Sequence, residues 1–445
     1  MFTIFNYKYS GKMFWETEKG KVSLASRHNI EFMDEEPEIY EAEFVLGVIE
    51  IDDNSYLGIV KKSESLGLYE GNEVFKIKKV DFIPLVVCPQ SDHTIYVKQL
   101  IQSYDFYVCK SMFMKERFIW NMHMIDRLKY GGEEWKCIPK DTIDSDCGLV
   151  YMFCGFFVSK SFKVFEGFYN IKLLSLVCTR KMGTRLLSRG LDKDGNVSFF
   201  VKTHCSIRRN NKVVFDFNIL RGSVPLFWGQ KTQGINGRLY FFGEEDDLNE
   251  AFDKHFESLE EEFGNIHVVT LLGHRKDEKV LSSTYINMLK EKNIPYTDFD
   301  FNSHTNDFDN LKVLFSYKLE EAKKDVVYRV NCVDCLDRTN LAQYLICKYN
   351  VEKTLKKNYT VEKILQECWT ENGHSLSNLY TGSDVMKSEL SLKQKRSLFG
   401  LVDDFLISAT RLINNRFTDK QKNKIINILL GRETGEETSQ NIDIS

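Results

Sequence analysis

The chain of 445 residues has a net charge of −4, 42% hydrophobic and 28% charged residues; it is too long for one small core and has the balance of an ordinary soluble globular protein. Its many Phe (33) and Tyr (20) and few Pro (6) favour packed sheet and helix over disordered linker, and its mild acidity argues against a nucleic-acid partner while leaving room for an anionic substrate in a local basic pocket. Eleven cysteines follow no regular framework, no basic leader precedes an apolar stretch at the start, and no run reaches the roughly 18 apolar residues of a membrane span; free thiols in a cytoplasmic protein are expected.

In chain order, the first third reads as β-rich. Phe44 to Ile51 is an apolar run, Asp52, Asp53, Asn54 and Ser55 make a turn, and Tyr56 to Val60 returns as a strand. Phe75 and Ile77 alternate with Lys76 and Lys78, the pattern of a sheet with one wet face. A helical stretch follows near Val97 to Tyr104. Gly148 to Val158 is interrupted by Ser159, Lys160 and Ser161 and reads as a buried strand. Ile266 to Leu272 is a near-continuous apolar run, as in a strand covered on both faces. A helix is predicted over Val280 to Lys292, Pro295 closes the turn after it, and Tyr296 to Phe301 reads as a strand. Leu311, Leu314, Phe315, Leu319 and Ala322 mark an amphipathic helix, and Asp325 to Val330 a further strand. This β-α-β-α-β order predicts a parallel or mixed sheet flanked by helices, with its last strand ending at Asn331, where open α/β sheets place ligands. The C-terminal region is helical: Val402, Phe405, Leu406, Ala409 and Ile413 form one stripe, and Thr418 with Gln421 fits a capping box for a last helix ending at Gly431. The expected fold class is α/β, α+β overall.

The chemistry is concentrated in Arg329 to Asn340, RVNCVDCLDRTN. Five residues, Val333, Asp334, Cys335, Leu336 and Asp337, separate Cys332 from Arg338. A loop of that length can ring a tetrahedral phosphate with inward backbone N–H groups, and a helix starting near Asn340 adds its positive N-terminus. The Arg338 guanidinium can grip two phosphate oxygens. Such surroundings lower a thiol pKa from about 8.5, so Cys332 is the candidate nucleophile. Asp334 and Asp337 are candidate proton donors to the leaving oxygen, Asp334 preferred, and Thr339 is placed to hydrogen-bond the sulfur. The bland readings of Cys332-Val-Asp-Cys335 are half a zinc site, a redox pair or a plain turn. No second C-x-x-C or C-x-x-H pair completes four zinc ligands, and two loop carboxylates raise rather than lower a thiol pKa. No metal or cofactor is expected.

The complete run R-x-N-C-x-D-C-L-D-R-T-N resembles the signature of the Sac-domain (suppressor-of-actin) phosphoinositide phosphatases. Glu116 to Asn121 (ERFIWN), Thr179 to Val197, Leu220 to Gln230 (LRGSVPLFWGQ) and Trp369 to Ser383 are similar to other blocks of that family, in the same order. The resemblance covers roughly residues 40 to 431. It implies a β-rich N-terminal Sac subdomain (1–160) packed on a mixed-sheet cysteine-phosphatase domain (161–431), with a polar tail (432–445). It further implies metal-independent hydrolysis of phosphatidylinositol 4-phosphate, with the 3-phosphate or the 5-phosphate of the 3,5-bisphosphate as alternative substrates. Cys332, Arg338 and Thr339 match the family's catalytic positions. A phosphoprotein phosphatase and a catalytically idle phosphoinositide-binding scaffold are the rival functions. Phe199, Lys202 and His204 stand where the family has an Asn and two acids, which bears on substrate preference. Anchored members continue into transmembrane helices, whereas this chain stops soon after Gly431; peripheral attachment to endoplasmic reticulum or Golgi membranes, or recruitment by a protein partner, is expected. Two basic groups read either as a face for anionic lipid or as solvated charge: Arg180, Lys181, Arg185 and Arg189, and Lys387, Lys393, Lys395 and Arg396. Arg221 reads either as a substrate contact or as a brace for its turn.

Overall fold

The computed structural model describes residues 1–17, 20–26, 35–88, 91–131, 135–138, 148–230, 239–274, 277–300, 315–320, 325–355, 357–381 and 416–432. Its strands are β1 Phe2–Tyr7, β2 Lys12–Thr17, β3 Gly20–Ser26, β4 Glu38–Ala42, β5 Phe44–Ile51, β6 Asn54–Tyr69, β7 Asn72–Pro84, β8 Phe106–Cys109, β9 Trp135–Ile138, β10 Tyr151–Val164, β11 Gly167–Val177, β12 Val201–Arg209, β13 Lys212–Arg221, β14 Trp228–Gln230, β15 Leu239–Phe241, β16 Ile266–Thr270, β17 Tyr296–Asp298 and β18 Val327–Asn331. The longer helices are α1 Asp92–Ser103, α2 Met122–Tyr130, α3 Glu245–Phe263, α4 Asp277–Glu291, α5 Asp337–Thr354, α6 Tyr359–Thr381 and α7 Arg416–Leu429.

One eleven-stranded sheet runs β17-β16-β18-β13-β12-β11-β10-β8-β7-β6-β5, beside a five-stranded sheet β4-β1-β2-β3-β9 and the β14–β15 pair. The large sheet is mixed: β13, β18, β16 and β17 pair in parallel, and the strands from β13 back to β5 pair antiparallel. This is the predicted mixed α/β architecture. All five residues of β16 are buried, as its continuous apolar run requires of a strand covered on both faces. On one side α3 and α4 contribute Phe252, Phe256, Leu281, Tyr285 and Leu289 to a core; in another cluster α5 and α6 contribute Leu341, Ile346, Cys347, Leu365 and Trp369.

The two expected halves share that sheet. The boundary expected at residue 160 lies within β10, which pairs with β8 on one edge and β11 on the other. Buried Asn121 bridges β5 and the start of β10: its amide donates to Leu46 O (2.8 Å) and Val150 O (2.9 Å) and accepts from Met152 N–H (2.7 Å). Trp120 Nε1 donates to Val177 O at 3.0 Å, across to β11.

Several elements extend past their sequence limits. β6 runs on to Tyr69, because its hairpin with β7 continues through three register shifts. α7 already includes Arg416, so Thr418 is a helical residue rather than its cap; Gly431, at φ 65°, follows its end as expected. Residues 315–320 are helical; Leu311, Leu314 and Ala322 of that predicted helix lie outside the described residues, as do the 402–413 stripe, the 387–396 basic group and the tail beyond 432. No helix among the described residues is long and apolar enough to cross a membrane.

Candidate active site

β18 is central, between β16 and β13, and its carboxyl end opens into the loop that begins at Cys332 and leads to α5. The loop turns because Cys335 takes a left-handed conformation, φ 55°. That turn points the Cys335 N–H back at Cys332 Sγ (3.1 Å), while Thr339, in the first turn of α5, donates its hydroxyl to the same sulfur at 3.3 Å. Leu336, at the N-cap, makes no side-chain cap bond, which leaves the positive end of α5 open toward the loop.

Burial of Cys332 works against ionisation, but the hydrogen bond from Cys335, the charge of Arg338 and the bond from Thr339 outweigh it and bring the thiol down to about 6. The Cys335 thiol goes the other way: burial first, then its charged neighbour Cys332, push it well up, and it donates to Gly222 O at 2.9 Å. The two thiols are thus set apart: Cys332 is favoured as a thiolate and Cys335 as a neutral, hydrogen-bonding thiol.

Arg338 is held by a bidentate pair with Glu278 of α4 (3.0 and 3.1 Å) and by Leu271 O (3.1 Å). Glu278 is itself fixed by the Gly273 N–H at 2.6 Å. Asp334 faces two arginines of the 179–190 segment: Arg189 Nη2 at 2.6 Å and Arg185 Nη1 at 3.6 Å. Burial favours its neutral form, yet Arg189 and then Arg185 hold the carboxyl at about 2, so in this arrangement Asp334 is an ion-paired carboxylate. Arg189 also donates to Val333 O (2.9 Å) and Gln230 Oε1 (2.8 Å), tying the loop to β14. Asp337 is exposed at the first position of α5, an acid at the favourable end of the helix dipole. Buried Asn340 accepts from Arg221 (2.9 Å) and donates to Trp369 O (2.8 Å), docking α5 on β13 and α6.

Two fully buried guanidinium groups lie behind the loop. Arg221 donates to Cys335 O (3.4 Å) and Asn340, which makes it a brace rather than a surface group. Arg329 donates to His255 Nε2 (3.1 Å), Asn331 Oδ1 (3.2 Å) and Ser223 O (2.7 Å). Because Nε2 accepts, His255 carries its proton on Nδ1 and gives it to Gly195 O at 2.9 Å; burial keeps this imidazole neutral. Neither arginine meets a carboxylate at ion-pair distance among the described residues, so both charges add a positive field behind the sulfur.

The structure therefore brings Cys332, Val333, Asp334, Cys335, Leu336, Arg338, Thr339 and Asn340 into one loop–helix junction. Sequence reading missed Arg185, Arg189, Gln230 and Glu278 as partners of that junction. The only signal for Arg185, Arg189 and Gln230 was membership of the family-like blocks, and Glu278 carried none, since each is separated by many residues from what it touches. Of the basic group expected at a membrane or in solvent, only Arg180 is exposed. The three departures make contacts elsewhere. Phe199 stacks on Tyr380, centroids 4.1 Å apart. His204 bonds Tyr69 OH (2.8 Å) and Asp216 (3.1 Å). Lys202 lies over Phe263, 5.5 Å from its centroid.

Residues 90–306 match the family model described as the SacI homology domain. Inositol-1,4,5-trisphosphate 5-phosphatase 1 of Schizosaccharomyces pombe is 31% identical over 351 residues, covering 72% of this chain and 32% of that protein. Polyphosphatidylinositol phosphatase INP53 of Saccharomyces cerevisiae is 28% identical over 478 residues, covering 87% and 42%. Phosphatidylinositide phosphatase SAC2 of Homo sapiens is 30% identical over 293 residues, covering 59% and 26%. The chain thus spans less than half the length of each of these relatives. With motif, matched region and relatives in agreement, the chain belongs to the Sac-domain family.

Proposed function

We propose that the chain is a phosphoinositide phosphatase that removes the 4-phosphate of phosphatidylinositol 4-phosphate through a phosphocysteine intermediate. The observation that carries the reading is the Cys332 sulfur accepting from Cys335 N–H and Thr339 at the open end of α5, contacts that favour its thiolate. In the first step Cys332 Sγ forms a bond to phosphorus as the bond to the inositol oxygen breaks. That oxygen takes a proton, for which Asp334 is the proposed donor. The incoming phosphate draws Arg189 and Arg185 toward its own oxygens; Asp334, freed from the pairs that keep it ionised and set beside a second anion, takes up a proton from solvent and passes it to the leaving oxygen. In the second step water attacks phosphorus, the S–P bond breaks, and the thiolate returns to its two donors. Arg338, preset by Glu278, carries the phosphoryl charge throughout. Val333, Cys335, Leu336, Asp337 and Asn340 shape the cradle.

The relatives' names do not agree on one substrate or ring position, and the loop reads phosphate rather than its place on the ring, so phosphatidylinositol 3-phosphate and the 5-phosphate of the 3,5-bisphosphate are kept as alternatives for the scissile group. Substrate would be reached from the cytoplasmic face of endoplasmic reticulum or Golgi membranes, directly or through a protein partner. Phosphate release measured across the full set of phosphoinositides tests the substrate, and phosphopeptide turnover alone would overturn a lipid substrate. Cys332→Ser should fold and release no phosphate; unchanged release overturns the mechanism, and release by neither protein leaves the binding scaffold as the better reading.

A further inference from the structure

The far end of the large sheet carries a tip that is both basic and aromatic. Two hairpins turn there: β10 to β11 at Phe165 and Glu166, between the paired Val164 and Gly167, and β12 to β13 at Asn210 and Asn211, between Arg209 and Lys212. Hydrogen bonds tie the turns together. Asn210 N–H donates to Phe168 O (2.8 Å) and its side-chain oxygen accepts from Phe168 N–H (2.9 Å), while Asn358, just before α6, donates to Glu166 Oε2 (2.9 Å). A cavity of about 640 Å³ lies between these turns and the end of α5, lined by Tyr169, Arg209, Val214, Leu355 and Asn358 among others. Along β13, Lys212 is roughly 30 Å from Arg221, which pairs with Val330 just short of Cys332, so the tip is at the opposite end of the sheet from the catalytic loop.

The two turns differ in what their residues do for the fold. Asn210 and Asn211 take left-handed conformations, φ 50° and 64°, which a tight hairpin asks of its two central residues. Phe165 has no such role. It is fully exposed, and Phe168 (62%), Val213 (51%) and Tyr359 (80%) also stand half or more in solvent, so these side chains keep apolar surface in water and gain no packing. The local charge is positive although the chain carries −4 overall. Lys163, Arg209, Lys212, Lys348, Lys353 and Lys357 surround the tip, against Glu166, Glu352 and Glu362. Lys348 pairs with both Glu352 (3.5 Å) and Glu362 (3.2 Å), and Glu166 is bonded by Asn358 and Tyr169. Farther up the sheet Glu367 and Glu371 face Lys160, and Asp216 faces His204. Lys163, Arg209, Lys212 and Lys357 are exposed and meet no carboxylate at ion-pair distance among the described residues.

We propose that this tip docks on an anionic lipid bilayer, with Phe165 and Phe168 entering the interface and the four unpaired bases lying among the headgroups. The pairing of bases with projecting aromatics sets the class. A nucleic acid matches the charge and leaves Phe165 in water, and a second copy of the chain brings the same positive charge and is repelled; a bilayer interface takes both the rings and the charge. A bilayer seated there leaves the catalytic mouth open on the far side, so this contact is separate from substrate capture.

The test is sedimentation of the full chain with vesicles of phosphatidylcholine alone and of phosphatidylcholine with phosphatidylserine. Neither holds a phosphoinositide, so the result does not depend on the phosphatase reading. Binding to the vesicles with phosphatidylserine is expected, with loss in high salt and none to phosphatidylcholine alone. Phe165→Ser combined with Phe168→Ser should weaken binding at least about tenfold, and Lys163→Glu combined with Lys212→Glu should do the same. Both variants should melt as wild type does, since the altered side chains are exposed; Phe165→Ser alone, at the fully exposed position, carries the test if the double variant melts lower. Absence of wild-type binding, or equal binding by wild type and the variants, overturns the proposal. A wild-type dimer in solution that Phe165→Ser turns into a monomer assigns the tip to a second copy and overturns it as well.

Discussion

At the scale of single residues, the balance of charge around Cys332 sets the pH behaviour. The thiol stands at about 6 in the folded chain against an ordinary value of 9.0. The folded state therefore releases this proton at lower pH than the unfolded state. Its contribution to stability is full above about 9, declines between 9 and 6 as the unfolded thiol regains its proton, and is lost below about 6. Alkylation of Cys332 by iodoacetamide should rise through a midpoint near 6, and Thr339→Ala should move that midpoint upward. A midpoint unchanged in Thr339→Ala would show that the hydroxyl does not support the thiolate. Asp334 obeys the same sign at lower pH: held at about 2 against 3.8, it adds stability that fades as pH falls between those values. Arg189→Leu removes the nearer cation and leaves a carboxylate with 36% of its side chain exposed. We expect a loss of about 2 kcal/mol near neutral pH in urea denaturation, below the range for a fully buried pair because solvent screens part of the charge.

At the scale of elements, the loop depends on three segments distant in sequence that form a shelf beneath it. Leu220 to Gln230 supplies Arg221, the Gly222 carbonyl that receives the Cys335 thiol, the Ser223 carbonyl that receives Arg329, and Gln230 for Arg189. The 179–190 segment crosses this shelf so closely that Gly190, at φ 62°, would place a Cβ 2.3 Å from Leu226 O. Gly190→Ala combines a left-handed backbone with a clash against a carbonyl that cannot give way. It should cost at least about 2 kcal/mol and reduce turnover, because Arg189 moves with it. Wild-type stability in that variant, read by thermal melting, would mean that the segment can shift without strain. α6 completes the shelf: Gly373 lets Asn340 approach, and Asn372 links Asn340 (3.2 Å) to Ser175 (2.7 Å) on β11.

At the scale of the whole molecule, a continuous sheet joins the β-rich first third to the catalytic strands. Asn121 sits at that joint with three buried hydrogen bonds to two strands. Asn121→Ala leaves two carbonyls and one N–H unpaired, and a loss of at least about 3 kcal/mol is expected. Because the sheet is shared, unfolding of that variant should be seen together by tryptophan fluorescence and by loss of phosphatase activity. Separate transitions would mean that the two halves unfold independently.

Much of this protein is local enough to be legible along the chain. The apolar runs at Phe44 to Ile51 and Ile266 to Leu272, the helix expected over Val280 to Lys292 and the loop from Cys332 to Arg338 each announce themselves within about a dozen residues, because backbone periodicity and loop length are short-range properties. What surrounds the sulfur is not local. Arg189 meets Asp334 across 145 positions and Arg221 meets Asn340 across 119, and a basic residue looks the same in sequence whether water, a lipid head or a buried carboxylate neutralises it. Residue type and spacing mark Cys332 as the candidate nucleophile. Only the folding of distant strands against one another decided which charges surround that sulfur, since Coulomb energy depends on distance through space and burial rather than on order along the chain.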